Sequence, residues 1–189
     1  MMKRDDDILV LKAVLLYIIT NSQKKRHDVY SIVKTAFYAQ QMKFAKYGTP
    51  LFTDNICALP WGPVPSDAYN ILKMARGDKR ELDYHKNDNF HLASDAIGFE
   101  NEAFFAKEDP DMDYLSKADV EVLNAAIMKV SESNFNGIVF DTHSPEWERA
   151  FRSTASKVMN NVTIAQEGGA NQDILSYLQE YYDLNRVLG

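Results

Sequence analysis

Three residues of this chain have the side chains of a thiol hydrolase: the single cysteine Cys57, His143 and Asp141. That chemistry needs a thiolate beside an imidazole, and a carboxylate that orients the imidazole. The spacing argues against it. Asp141 and His143 are two residues apart, a poor arrangement unless the local turn is tight. Cys57 sits in an apolar extended run, the usual place of an inert buried thiol. His143 reads more simply as a structural histidine at a helix start. A Cys-dependent hydrolase is therefore the weakest functional reading.

Metal and phosphate chemistry fare no better. Asp109, Asp111 and Asp113 alternate like the first ligands of a calcium loop, but such a loop needs Gly at its sixth position and Glu at its twelfth. Tyr114 and Val120 stand there, and Pro110 interrupts the run. The histidines His27, His85, His91 and His143 show no metal-ligand spacing. Gly168-Gly169 lacks the Lys-Ser/Thr and the preceding strand of a phosphate loop. No catalytic residue, cofactor or metal is expected.

The elements that carry these residues read as mostly helical. Asp5–Asp7 precede an apolar stretch, 8–19, too short to span a bilayer and preceded by acids where a signal peptide wants positive charge. A buried or amphipathic helix is the reading. Asp28 is a good N-cap for a helix with Ile32, Val33, Ala36, Phe37, Gln40 and Phe44 on one apolar face, stopped by Gly48. Residues 49–59 read as extended. Pro60-Trp61-Gly62-Pro63-Val64-Pro65 reads as a rigid, shaped loop, because proline fixes its own φ and extends its predecessor. A short helix with Tyr69, Ile71, Leu72 and Met74 follows. Between 81 and 113 the segments 89–93, 96–99 and 103–106 are strand candidates. Ser116 to Asp119 resembles a capping box, Gly137 reads as a break, and Ser144-Pro145 as N-cap and first helical residue. Gly168-Gly169 reads as a hinge before a last helix from Asn171 to Leu188.

With 189 residues, 46% hydrophobic and 25% charged, the chain has ordinary globular composition and suits one domain with its own core. Its net charge of −6 argues against broad nucleic-acid binding, which needs a basic field. Six acids against Lys107 between Glu100 and Asp113 give a local net of −5, nearly the whole charge of the chain. Lys24, Lys25 and Arg26 form one basic spot, and Arg76, Lys79 and Arg80 another. A lone thiol and no signal segment lead to the expectation of a reducing cytoplasm and no membrane association.

Three blocks then stand out in order: Ile32-Val33-Lys34-Thr35-Ala36-Phe37-Tyr38-Ala39, Tyr47-Gly48-Thr49-Pro50-Leu51-Phe52, and Ala58-Leu59-Pro60-Trp61-Gly62-Pro63-Val64-Pro65-Ser66-Asp67-Ala68-Tyr69. Asp141-Thr142-His143-Ser144-Pro145-Glu146-Trp147 forms a later one. The chain resembles the Panacea domain family, the SocA-like antitoxins that include phage-associated, GepA-like proteins. The resemblance spans about residues 8 to 155. Val33 and Thr35-Ala36-Phe37 depart from the usual Leu-Leu-Tyr type.

This resemblance implies a bacterial, non-enzymatic antitoxin that neutralises a co-encoded toxin by direct contact. SocA-like members also deliver a toxin to the ClpXP protease, so a ClpXP-type protease is the alternative partner. The expected fold is mainly α, a compact helical domain with a small antiparallel β-element around residues 81–106. The expected organisation is an antitoxin-like domain at 1–160 and a C-terminal helical extension at 161–189. The expected partner-binding residues are Trp61, Gly62, Pro63, Pro65 and Tyr69 of the proline block, with Glu108, Asp109, Asp111 and Asp113 of the acidic segment, which suits a basic toxin. Tyr38, Tyr47, Gly48, His143 and Trp147 are expected to shape the fold.

Overall fold

The computed structural model describes residues 5–22, 27–78, 80–81 and 88–188. In chain order these form α1 (Asp5–Asn21), α2 (Val29–Tyr47), β1 (Ile56–Leu59), β2 (Gly62–Pro65), α3 (Ser66–Ala75), α4 (Asp88–Asp95), β3 (Ile97–Glu100) and β4 (Ala103–Ala106). A 3-10 turn (Met112–Tyr114) leads into α5 (Lys117–Glu132), α6 (Phe135–Thr142), α7 (Pro145–Arg152), α8 (Asn161–Glu167) and α9 (Gln172–Leu188). The protein is mainly α with two small antiparallel hairpins.

The central element is α2. Asp28 caps it by accepting from the Ser31 amide at 2.9 Å. Gly48 ends it at φ 65°, donating to the Phe44 carbonyl. Every residue from 32 to 40 is buried, so the helix is enclosed rather than one-faced. Helix α5 lies along it most extensively, with α1, α3, α8, α9 and β2 around the rest. Each fully buried side chain such as Phe44 or Ile32 contributes about 1.5–3 kcal/mol of transfer free energy.

Its buried polar groups have specific work. Gln40 accepts from the Leu51 amide at 2.7 Å and donates to the Phe52 carbonyl at 3.0 Å, satisfying a chain segment that has no ladder of its own. Lys43 pairs with Asp119 at 2.7 Å, and Asp119 is also the capping-box partner of Ser116. In α1, Leu11, Val14, Leu15 and Ile18 are buried in the same core. Among the described residues no helix is long and apolar enough to cross a membrane.

The proline block is a strand rather than a loop. β2 pairs antiparallel with β1, Ile56 opposite Pro65 and Leu59 opposite Gly62, with Pro60 and Trp61 at the turn. On the far edge of β1, the Ala58 amide donates to the Lys157 carbonyl, while the Met159 amide donates to the Ile56 carbonyl. Ile56 and Ala58 therefore face residues 157–159, and Cys57 and Leu59 face β2. Pro63 and Pro65, opposite Ala58 and Ile56, turn their backbone away from β1, so the amides they lack are not missed.

Further differences concern local signals. Residues 89–93 lie inside α4, not in a strand, because Phe90, Ala93 and Ser94 bury one helical face. The hairpin β3–β4 matches the other two strand candidates, 96–99 and 103–106. Gly137 does not break the chain; it is the third residue of α6, where its amide donates to the Asn134 cap at 2.8 Å. Helix α8 follows Asn160, whose side chain accepts from the Val162 and Thr163 amides. The basic spot at 24–26, Lys79 and His85 lie outside the described residues.

Candidate functional site

The turn of the first hairpin is held from beneath by a buried lysine. Lys34, on α2, is fully buried and donates to the Pro63 carbonyl at 2.8 Å. Burial pulls its amine down to about 7, because an ammonium there loses its water. Thr142 and His143, where α6 ends, close the site from the other side. Gly62 has φ 96°, and a Cβ there would lie 2.6 Å from the Lys34 Nζ, 2.7 Å from the Thr142 Oγ1 and 3.5 Å from the His143 Cδ2. Only glycine meets both demands at once.

Above this base the surface is aromatic. Trp61, at the turn, is 63% exposed, and its ring lies 5.8 Å from that of Phe135. Phe135 is half-exposed and packs on Tyr30 at 4.7 Å. Phe140, on the same α6, is 88% exposed. Trp61 and Phe135 thus meet beside the hairpin turn rather than in the core. Of the residues expected here, only Trp61 is presented outward. Gly62, Pro63 and Pro65 are buried, and Tyr69 is half-buried beneath the Lys73 ammonium at 4.8 Å. Pro65 leads into α3, whose first amides are capped from a distance. Asp54 accepts from the Ser66 hydroxyl and from the Asp67 and Ala68 amides.

Sequence reasoning missed Lys34, Phe135 and Phe140. A lysine between Ile32-Val33 and Ala36-Phe37 was the available signal for the first, and the Asn134 cap for the helix that carries the other two.

The remaining motif residues make contacts within the fold. His143 caps α6 through its amide and stacks on Trp147 at 3.7 Å, nearly parallel. Burial, aided by the Lys34 charge, lowers its pKa below the usual value. Trp147 donates from Nε1 to the Leu59 carbonyl at 3.0 Å and stacks on Phe151, tying α7 to β1. Tyr38 donates to Asp141 at 2.6 Å, and Lys129 pairs with the same carboxylate at 2.8 Å. Tyr47 donates to Glu121, beside the Lys46–Glu121 ion pair.

The thiol hydrolase set is not assembled. Asp141 is engaged by Tyr38 and Lys129 instead of orienting His143. Burial, then the Asp54 charge, push the Cys57 thiol up, which disfavours the thiolate. Among the described residues no group of His, Cys, Asp and Glu could hold a metal ion.

The acidic segment does not converge on the hairpin. Glu108 pairs with Lys12 of α1 at 2.5 Å. Glu108 and Asp109 border an open groove of about 870 Å³ between the end of α1 and the β3–β4 hairpin. Asp111 caps the 3-10 turn by accepting from the Asp113 amide at 3.0 Å, and Asp113 is exposed.

A model of the family "Antitoxin SocA-like, Panacea domain" matches residues 32–148, from the first turn of α2 into α7. The match takes in the hairpin, Lys34 beneath it and both sides of the aromatic surface. No curated protein and no solved structure gives a match.

Proposed function

The chain belongs to the SocA-like antitoxin family with a Panacea domain, and from that premise we propose that it neutralises a co-encoded toxin by direct protein contact through the surface around Trp61. One observation carries this reading: a large aromatic side chain is held out to solvent on a turn whose backbone is fixed from below by Lys34. A preordered anchor loses little conformational entropy on binding, and tryptophan is a favoured hot-spot residue. Phe135 extends the same surface. Glu108, Asp109, Asp111 and Asp113 are the second expected contact, suited to a basic region of the toxin and to faster encounter. In this reading residues 1–160 form the antitoxin domain, 161–189 extend it, and the protein acts in the cytoplasm.

Co-expression with the product of the adjacent gene tests it. Wild-type protein restores growth to cells poisoned by that product, and Trp61→Ala abolishes rescue while the melting temperature stays within a few degrees. Absence of rescue with either neighbouring product overturns the antitoxin reading, and unchanged affinity of Trp61→Ala moves the contact elsewhere. A toxin whose cellular half-life falls when this protein is present is being delivered to a ClpXP-type protease rather than only covered.

A further inference from the structure

The C-terminal helix α9 lies beyond the family match and carries two apolar faces. One is inward: Leu178 is buried, and Ile174, Leu175 and Tyr182 pack against the core. The other is outward. Tyr177, Tyr181 and Leu184 recur at helical spacing and are 53%, 42% and 62% exposed. Residues 172–184 include Asp173, Glu180 and Asp183 and no Lys or Arg.

Beside this stripe lies a cleft of about 360 Å³. Its walls include Phe44 and Phe52 of the core, Tyr181 and Tyr182 of α9, Asp7, and Asp54, whose carboxylate is already engaged at the start of α3. Tyr182 is fixed there by the Asn161 amide, which donates to its hydroxyl at 2.9 Å, and its ring meets Tyr181 edge-on at 5.2 Å. No Lys or Arg is among the described lining residues. Aromatic walls with the Asp7 side chain among them suit a cation on an apolar stem, held by ring faces and charge together.

We propose that α9 and this cleft receive a basic amphipathic helix of a protein partner. Its apolar side lies along Tyr177, Tyr181 and Leu184, and one arginine or lysine enters the cleft toward Asp7. The choice of occupant rests on charge: the charged side chains described on α9 are Asp173, Glu180 and Asp183, and the cleft adds Asp7, so a basic helix gains an attraction that an acidic or neutral one lacks. The surface is separate from Trp61, so it would be a second contact of the antitoxin reading and survives the failure of that reading.

The test is a fluorescent 14-residue amphipathic peptide, leucine on one face and arginine on the other, titrated against the intact protein by anisotropy. Saturable binding is expected, weakened about tenfold by Asp7→Asn, by Tyr181→Ala, or by citrulline in place of arginine. Asp95→Asn, an exposed acid on α4, is expected to leave it unchanged. Tyr177→Ala provides a second variant if Tyr181→Ala melts early. No saturable binding overturns the proposal, as does equal weakening by Asp95→Asn, which would mean bulk charge alone. Binding seen only after removal of residues 1–4 also overturns it, because the cleft then belongs to the chain's own terminus. Growth rescue plays no part in this titration, so the two readings fail independently.

Discussion

Replacing Gly62 by alanine should be among the most damaging single-methyl changes in this protein. Two costs add. A non-glycine residue at φ 96° is strained by about 1–3 kcal/mol. The new methyl also falls 2.6 Å from the Lys34 Nζ and 2.7 Å from the Thr142 Oγ1, so the amine must leave the Pro63 carbonyl. Loss of that buried hydrogen bond costs about 1–3 kcal/mol. The sum is about 2–6 kcal/mol, which in a chain of this size lowers the melting temperature by roughly 5–20 °C. Gly77 is the built-in control: its φ is 88°, yet a Cβ there meets nothing within 4 Å. Gly77→Ala therefore carries the strain alone. Urea unfolding followed by circular dichroism reads both variants. Equal destabilisation of Gly62→Ala and Gly77→Ala would refute the claim that the turn is pressed onto Lys34. Lys34→Met, one atom shorter, should remove part of the Gly62→Ala cost in a double-mutant cycle, because the clashing atom is gone.

The depressed Lys34 pKa makes stability depend on pH with a definite sign. Between about pH 7 and the unfolded value near 10.4, the unfolded chain binds a proton that the folded one lacks, so stability rises with pH. Tyr30 and Cys57, whose pKa values are raised, oppose this only at alkaline pH, which leaves pH 7–8.5 as the window. There wild-type stability should rise relative to Lys34→Met by about 1 kcal/mol per pH unit in urea titrations; a flat difference would contradict the buried neutral amine. Gly168→Ala should cost about 1–3 kcal/mol without backbone strain, since its Cβ would sit 2.8 Å from the Gln41 Cγ and 3.2 Å from the Gln41 carbonyl, pushing α8 off α2. Thermal melts check it, and a neutral result would show that the two helices are not tightly apposed. Cys57 should react with an aromatic disulfide reagent far more slowly in native protein than in urea, and rapid native labelling would reopen the nucleophile reading.

The parts of the fold that were legible from sequence are those decided within a few residues. Asp28, Ser116 and Ser144 cap the helices they precede, and Gly48 ends α2, because a cap is a local hydrogen bond. Short elements were harder. The eight residues of α4 hold barely two turns, too few for a helical period to outweigh alternating apolar residues. Gly137 misled because its cost as a helix residue is small in a first turn already capped by Asn134. The proline block was identified as the place that mattered, but its character depends on partners far along the chain. No local rule reveals that Pro63 would offer its carbonyl to Lys34, or that Phe135 would meet Trp61. The site was thus half legible: its anchor from residue type, its foundation only from packing.

The far edge of β1 has a consequence for biosynthesis. Residues 157–159 seal that edge through the Ala58–Lys157 and Met159–Ile56 hydrogen bonds, yet they are translated about a hundred residues after it. At roughly 5–20 residues per second, the strand waits about 5–20 s on the ribosome with that row of backbone groups unclaimed. The hairpin that presents Trp61 is therefore made well before it is finished, and a nascent chain stalled before residue 157 would carry the tryptophan on a hairpin whose β1 edge is still open.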